Sequence, residues 1–144
     1  MKLIDTNVLV CAVNQDALQH QVAKGWLVAA LNGSEPLLVP WMNLIGFVRI
    51  VTHPKLLPRP LTADRALELV DLWLDAPPVR VVTPAPDHAR HLRTLLTAAG
   101  RAGSLTNGAH LAALALANRA QIVTFDTDFA LFNQVEWGTP SMPE

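Results

Sequence analysis

The chain has 144 residues and a mass of 15.6 kDa, and 51% of it is apolar, enough to bury a core without disulfide or metal staples. Charged residues make up 16% and the formal net charge is -1, so no global positive field draws in nucleic acid or an anionic membrane, and any nucleic-acid site is local. A single cysteine, Cys11, excludes an intramolecular disulfide framework and a zinc site of paired cysteines. It reads as a buried core residue in a reducing compartment.

Asp5 interrupts the N-terminus before the roughly 7 apolar residues of a secretory signal accumulate. The longest uncharged run, from Ala102 to Asn118, is shorter than the roughly 20 apolar residues of a membrane span. A soluble, cytoplasmic protein is expected, occupying one domain over 1–144.

Lys2-Leu3-Ile4 is a short strand ending in Asp5, and Val8 to Val13 is too apolar for a surface loop, so a turn and a helix follow. Between Ala17 and Leu31, the spacing of Leu18, Val22, Trp26, Ala29 and Ala30 predicts an amphipathic helix. Leu37 to Val39 is a buried strand stopped by Pro40. Trp41 to Thr52 is a helix ending before Pro54, with Leu44, Ile45, Phe47 and Val48 on its apolar side. Thr62 caps a helix from Ala63 to Leu74 whose inward positions are Leu67, Val70 and Leu74.

Val79 to Val82 is a third strand. Asp87 caps a helix carrying Leu92, Leu95, Leu96 and Ala99, ended by Gly100 and Gly103. Asn107 caps the next helix, which turns Leu111, Leu114 and Ala115 inward. Gln121 to Phe125 is a strand ending in Asp126, and Gly138 to Glu144 reads as a loose tail. Helices alternating with short, continuously apolar strands give an α/β fold, with a parallel sheet covered on both faces.

Open α/β sheets place their sites beyond the carboxyl ends of the strands, which gives weight to Asp5 and Asp126. On central parallel strands the two carboxylates converge, and with Asp128 they form the hard oxygen basin that Mg²⁺ or Mn²⁺ prefers in phosphoryl chemistry. Each acid has a plainer reading as a helix or turn cap, and the pairing at equivalent strand ends favours the site.

Arg49 is the only charge in its apolar helix, placed to meet a phosphate or to hold a carboxylate. His88 and His91 lie one turn apart without a third ligand near in sequence, so they read as a solvated face. His53 and His110 read as polar or core positions. Trp26, Trp41, Trp73 and Trp137 read as core and interface, because no basic cluster interleaves with them. Phosphate-cradling glycine loops, dinucleotide fingerprints and nucleophile-elbow motifs are absent.

Four segments, read together, resemble the PIN-domain ribonucleases, and more narrowly the VapC toxins of type II toxin–antitoxin modules. They are Met1 to Leu9 with Ile4-Asp5-Thr6-Asn7, Phe47 to Pro54 with Arg49, Ala109 to Ala115, and Ile122 to Phe129 with Asp126-Thr127-Asp128. The resemblance spans nearly the whole chain. It implies a three-layer α/β/α domain with a central parallel sheet, a homodimer that can assemble further with its antitoxin, and inhibition by a cognate VapB-type antitoxin. The implied activity is Mg²⁺- or Mn²⁺-dependent cleavage of a structured RNA, such as transfer or ribosomal RNA.

Carried over by position, Asp5 and Asp126 are the catalytic acids, and Asp5, Asp126 and Asp128 hold the metal. Thr6, Asn7, Arg49 and Thr124 meet the substrate. The sequence departs from the family pattern at Gly46 and Gly108, each standing where an acid is usual, and the second loss takes a carboxylate from the metal. An alternative follows, a catalytically dead PIN module that binds antitoxin or RNA without cutting. A phosphoaspartyl phosphatase or receiver domain fits poorly, since Asn7 stands where the former needs a second Asp and no lysine follows Lys55. Arg49, Lys55, Arg59, Arg90, Arg93 and Arg101 are the candidates for a local RNA-binding patch.

Overall fold

The computed structural model describes residues 1–142. Five strands form one parallel sheet in the order β3-β2-β1-β4-β5: β1 (Lys2–Ile4), β2 (Leu37–Leu38), β3 (Val79–Arg80), β4 (Gln121–Val123) and β5 (Trp137–Gly138). Leu3 pairs with Leu38 on one side and Ile122 on the other, so β1 is central. Six helices connect them: α1 (Thr6–Val13), α2 (His20–Leu31), α3 (Trp41–Val51), α4 (Ala63–Asp75), α5 (His88–Ala99) and α6 (Thr106–Asn118).

Strand residues alternate between two cores, as the pleat requires. Ile4, Leu37, Val79 and Val123 pack with helices α1 to α4, while Leu3, Leu38 and Ile122 pack with α5 and α6. The result is the expected α/β/α sandwich. On the first face Phe47 of α3 meets Trp73 of α4 edge-on at 4.7 Å between ring centroids, a geometry that adds about 0.5–1.5 kcal/mol beyond area burial. Gly100 closes α5 in the left-handed conformation at φ 79°, as its position predicts.

Several helix faces differ from the sequence reading. Helix α2 starts at His20 and buries Ala23 and Leu27, leaving Leu18 fully exposed in the turn before it. On α3 the inward residues are Asn43, Leu44, Phe47 and Val51, and Ile45 is exposed. On α4, Ala66, Val70 and Trp73 point inward and Leu67 outward. Runs this rich in apolar residues offer more than one hydrophobic stripe, and packing against the sheet selects one.

Asp87 and Asn107 make no side-chain caps; α6 instead begins at Thr106, continuing from a 3₁₀ turn at Gly103–Leu105. The expected loose tail begins inside β5, where Trp137 pairs with Ile122 and Gly138, the tail's first residue, with Val123, and Pro140 beyond it is buried. Pro143 and Glu144 lie outside the described residues.

Candidate functional site

The strand order runs outward from β1 to β3, then returns to place β4 on the other side of β1. This reversal leaves a crevice at the carboxyl ends of β1 and β4. Asp5 leaves β1 there and caps α1, its Oδ1 accepting the Thr6 N–H at 2.7 Å. Its Oδ2 accepts the Thr124 hydroxyl at 2.7 Å and Asn7 Nδ2–H at 3.2 Å. The same Thr124 oxygen accepts Asn7 Nδ2–H at 3.1 Å and the Asp126 N–H at 2.9 Å. Asn7 Oδ1 in turn accepts the Phe125 N–H at 3.1 Å. One hydroxyl and one amide therefore tie the two strand ends together.

Burial pushes the Asp5 carboxyl above the ordinary carboxylate range, and the negative charge of Asp126 adds to the push. Hydrogen bonds from Thr124, Thr6 and Asn7 pull the other way without overcoming it. No lysine or arginine forms an ion pair with either carboxylate among the described residues. Two acids lining one cleft without a compensating side chain favour a bound cation.

Asp5 and Asp126 line a cleft of about 570 Å³ with Thr6, Asn7, Asn43, Arg49, Ser104, Asn107 and Gly108. Thr124 does not line the cleft, and its hydroxyl is fully engaged by Asp5, Asp126 and Asn7, so it positions Asp5 and has no free group for substrate, contrary to the expectation for it. Asp128 does not join the basin either. It is exposed, does not line the cleft, and its N–H is capped by Asp126 Oδ1 at 2.9 Å in the turn Thr127–Leu131. Among the described residues no three His, Cys, Asp or Glu side chains converge to hold a metal. The expected three-carboxylate basin is therefore a pair, Asp5 and Asp126, supplemented by neutral oxygens. Such a set suits a hydrated Mg²⁺-like ion, which is bound through one or two carboxylates and keeps several waters, and it does not make an all-protein cage.

Gly46 and Gly108, where acids were expected from the family pattern, sit on the cleft wall. A Cβ at Gly46 would come within 3.2 Å of the Thr6 methyl carbon, a tight fit, whereas at Gly108 it would meet Phe132 at 3.4 Å and Phe129 at 3.7 Å. Arg49 is exposed on the cleft wall, and among the described residues it forms no ion pair with a carboxylate. Arg59 and Arg90 are instead paired, with Asp16 at 3.1 Å and Asp87 at 2.6 Å. Lys55, Arg93 and Arg101 are exposed away from the cleft lining. His88 is half-buried against His110 across the α5–α6 contact, Nε2 to Nδ1 2.8 Å, and is no solvated residue.

Sequence reasoning missed Asn43, Ser104 and Asn107 as wall residues, and Cys11 is a half-buried wall residue where a core one was expected. The one available signal was an asparagine inside the otherwise apolar start of α3.

The PIN-domain family model matches residues 2–134. This chain belongs to the PIN-domain family. Within it, the chain is 43% identical over 140 residues to "Ribonuclease VapC37" of Mycobacterium tuberculosis, covering 97% of each. It is 35% identical to "Ribonuclease VapC33" of the same species over 97% of this chain and 98% of the relative. Two solved structures share the fold of this PIN domain. One is VapBC2 from Rickettsia felis bound to a promoter DNA fragment, with TM-score 0.68, 15% identity and coverage of 97% and 98%. The other is VapC20 from M. tuberculosis, described as a Sarcin-Ricin loop cleaving toxin, with TM-score 0.67, 17% identity and coverage of 90% and 93%. No helix among the described residues is long and apolar enough to cross a membrane.

Proposed function

We propose that this PIN domain is the toxin of a type II toxin–antitoxin pair and a metal-dependent endoribonuclease. The observation that carries this reading is the pairing of Asp5 and Asp126 in one cleft at the sheet's switch point, in a chain 43% identical to a VapC ribonuclease over nearly its full length. The ion we assign is Mg²⁺ or Mn²⁺, held by the two carboxylates. When bound, it supplies a polarised water and offsets charge on the non-bridging phosphate oxygens.

The protein's own groups do the rest. Thr124, Thr6 and Asn7 hold the Asp5 carboxylate in one orientation, so no reorganisation is needed as charge develops. Arg49 on the wall places the scissile phosphate. Water adds to phosphorus in line, the P–O3′ bond breaks, and a 5′-phosphate and a 3′-hydroxyl result. The substrate class is a structured transfer or ribosomal RNA, and the partner a VapB-type antitoxin with which a toxin homodimer assembles in the cytoplasm.

The second reading, a module that binds antitoxin or RNA without cutting, draws on the glycines at 46 and 108, which leave two carboxylates where the family pattern has more. Incubation of total cellular RNA with Mg²⁺ or Mn²⁺ separates the two, using this chain, Gly108→Asp and Asp5→Ala. Cutting by this chain, abolished by Asp5→Ala, is the expected outcome, whereas cutting by Gly108→Asp alone, lost again when Asp5→Ala is added, marks a ribonuclease fold disarmed in this chain. Silence from both with every metal and RNA pool transfers the conclusion to the binding module.

A further inference from the structure

Asn43 is a buried polar side chain of the cleft that the chemistry above leaves unused. It is fully buried in the first turn of α3, and its amide has one end anchored and one end free. Lys2 sits opposite Leu37 and Leu3 opposite Leu38, so the ladder brings the Ile4 carbonyl to Pro40, which has no N–H to offer. Asn43 Nδ2 takes that place, donating to the Ile4 carbonyl at 2.8 Å. The amide is thereby fixed beside the residue that precedes Asp5, and the atom left over is the carbonyl oxygen.

That oxygen, Oδ1, has no hydrogen-bond partner, and among the described residues it is the one buried side-chain polar atom in this condition. A buried acceptor without a donor costs about 1–3 kcal/mol, and such orphans in native proteins commonly mark a water or ion. The need to satisfy Ile4 explains Nδ2 and not Oδ1. Asn43 lines the cleft that Asp5 and Asp126 line. An ion held by two carboxylates keeps several waters, and their protons need acceptors.

We propose that Asn43 is a positioning residue of the cation site, its Oδ1 accepting a hydrogen bond from a water in the hydration shell of the ion at Asp5 and Asp126. It supplies a neutral oxygen where this chain has no third carboxylate. This rests on the metal-dependent reading above.

Mn²⁺ soaked into crystals of the unaltered protein tests it by anomalous scattering. The expected result is an ion at Asp5 and Asp126 with one of its waters about 2.8 Å from Asn43 Oδ1, an ordinary O–H···O distance. An ion there with Oδ1 dry, or bonded only to protein, overturns this inference and leaves the metal-dependent reading standing. No ion in the cleft at saturating Mn²⁺ overturns both.

In solution, Mn²⁺ titration followed by electron paramagnetic resonance adds a second arm, with folding checked by circular dichroism. Asn43→Asp is expected to lower the Mn²⁺ dissociation constant by about tenfold, the effect of about 1.4 kcal/mol from an added charge. Asn43→Leu is expected to raise it severalfold. A folded Asn43→Leu with unchanged Mn²⁺ affinity overturns the inference, and if neither variant folds the crystallographic arm decides.

Discussion

Thr124 holds the site together with a single atom. Its hydroxyl proton goes to Asp5 Oδ2, and its oxygen receives N–H groups from Asp126 and Asn7, all in a fully buried position. Thr124→Val keeps the shape and removes these bonds, so it should destabilise the fold by about 1–3 kcal/mol, measured by urea unfolding. It should also push the Asp5 carboxyl higher still, because the Thr124 bond is the largest influence lowering it.

The pH dependence of Asp5 follows from its direction of shift. A carboxyl raised above its ordinary value of 3.8 favours the fold in its protonated form. That contribution is complete below 3.8 and is lost as pH rises through the higher folded value, so ionised Asp5 costs stability at neutral pH until a cation offsets it. The Mn²⁺-induced rise in Tm should therefore be large at neutral pH and shrink as pH falls toward the carboxylate range, as a thermal melt series would show. An undiminished rise would place the ion elsewhere.

Gly108 belongs to the same residue scale. It is in the first turn of α6, where an added carboxylate meets the positive end of the helix dipole, and a Cβ there makes ordinary contacts with Phe132 and Phe129. With Mg²⁺ present, Gly108→Asp should gain about 0.3–1 kcal/mol of stability and bind the ion more tightly than the parent chain. Thermal melts with and without Mg²⁺ check both effects together.

Between elements, the contact of α5 with α6 contains the His88–His110 pair. Burial, and secondarily the charge of His88, lower the His110 pKa below its usual 6.5. The neutral form therefore favours the fold; its contribution is present above 6.5 and is lost as pH falls through the lower folded value. Tm should fall between pH 7.5 and 5.5, and His110→Asn should flatten that slope.

The limits of the sequence are also set at this scale. Element order was legible from apolar runs and proline punctuation, and Gly100 from the need for a left-handed cap. Which stripe of α3 or α4 turns inward was not, because Ile45 and Leu67 are as apolar as the residues that displaced them. Strand β5, two residues long and beside a proline-rich end, carries no periodicity at all. The Asp5 and Asp126 pair was legible because parallel-sheet topology converts two strand ends into one place. Asp128 and Thr124 were misplaced because sequence proximity to a site residue does not reveal which way a turn faces.

For the whole molecule, a net charge of -1 and an acidic cleft floor make RNA approach unfavourable except where a cation stands on the wall. Arg49 stands there without an ion pair among the described residues, while the guanidinium groups of Arg59 and Arg90 are already engaged with Asp16 and Asp87 on exposed faces. Phosphate neutralisation by protein cations releases counterions, so binding weakens with salt in proportion to the number of contacts. If Arg49 makes one such contact, Arg49→Ala should weaken RNA binding across sequences and reduce the slope of log affinity against log salt by about 1. The same change at Arg59 should leave that slope where it was, since it removes a charge outside the cleft that is paired with Asp16. Filter binding of RNA to the cleavage-silent Asp5→Ala background, from low to physiological salt, measures both. Equal slopes for the parent and Arg49→Ala would mean that RNA is held by a face other than the cleft, and the path of the strand past Asp5 and Asp126 would have to be redrawn.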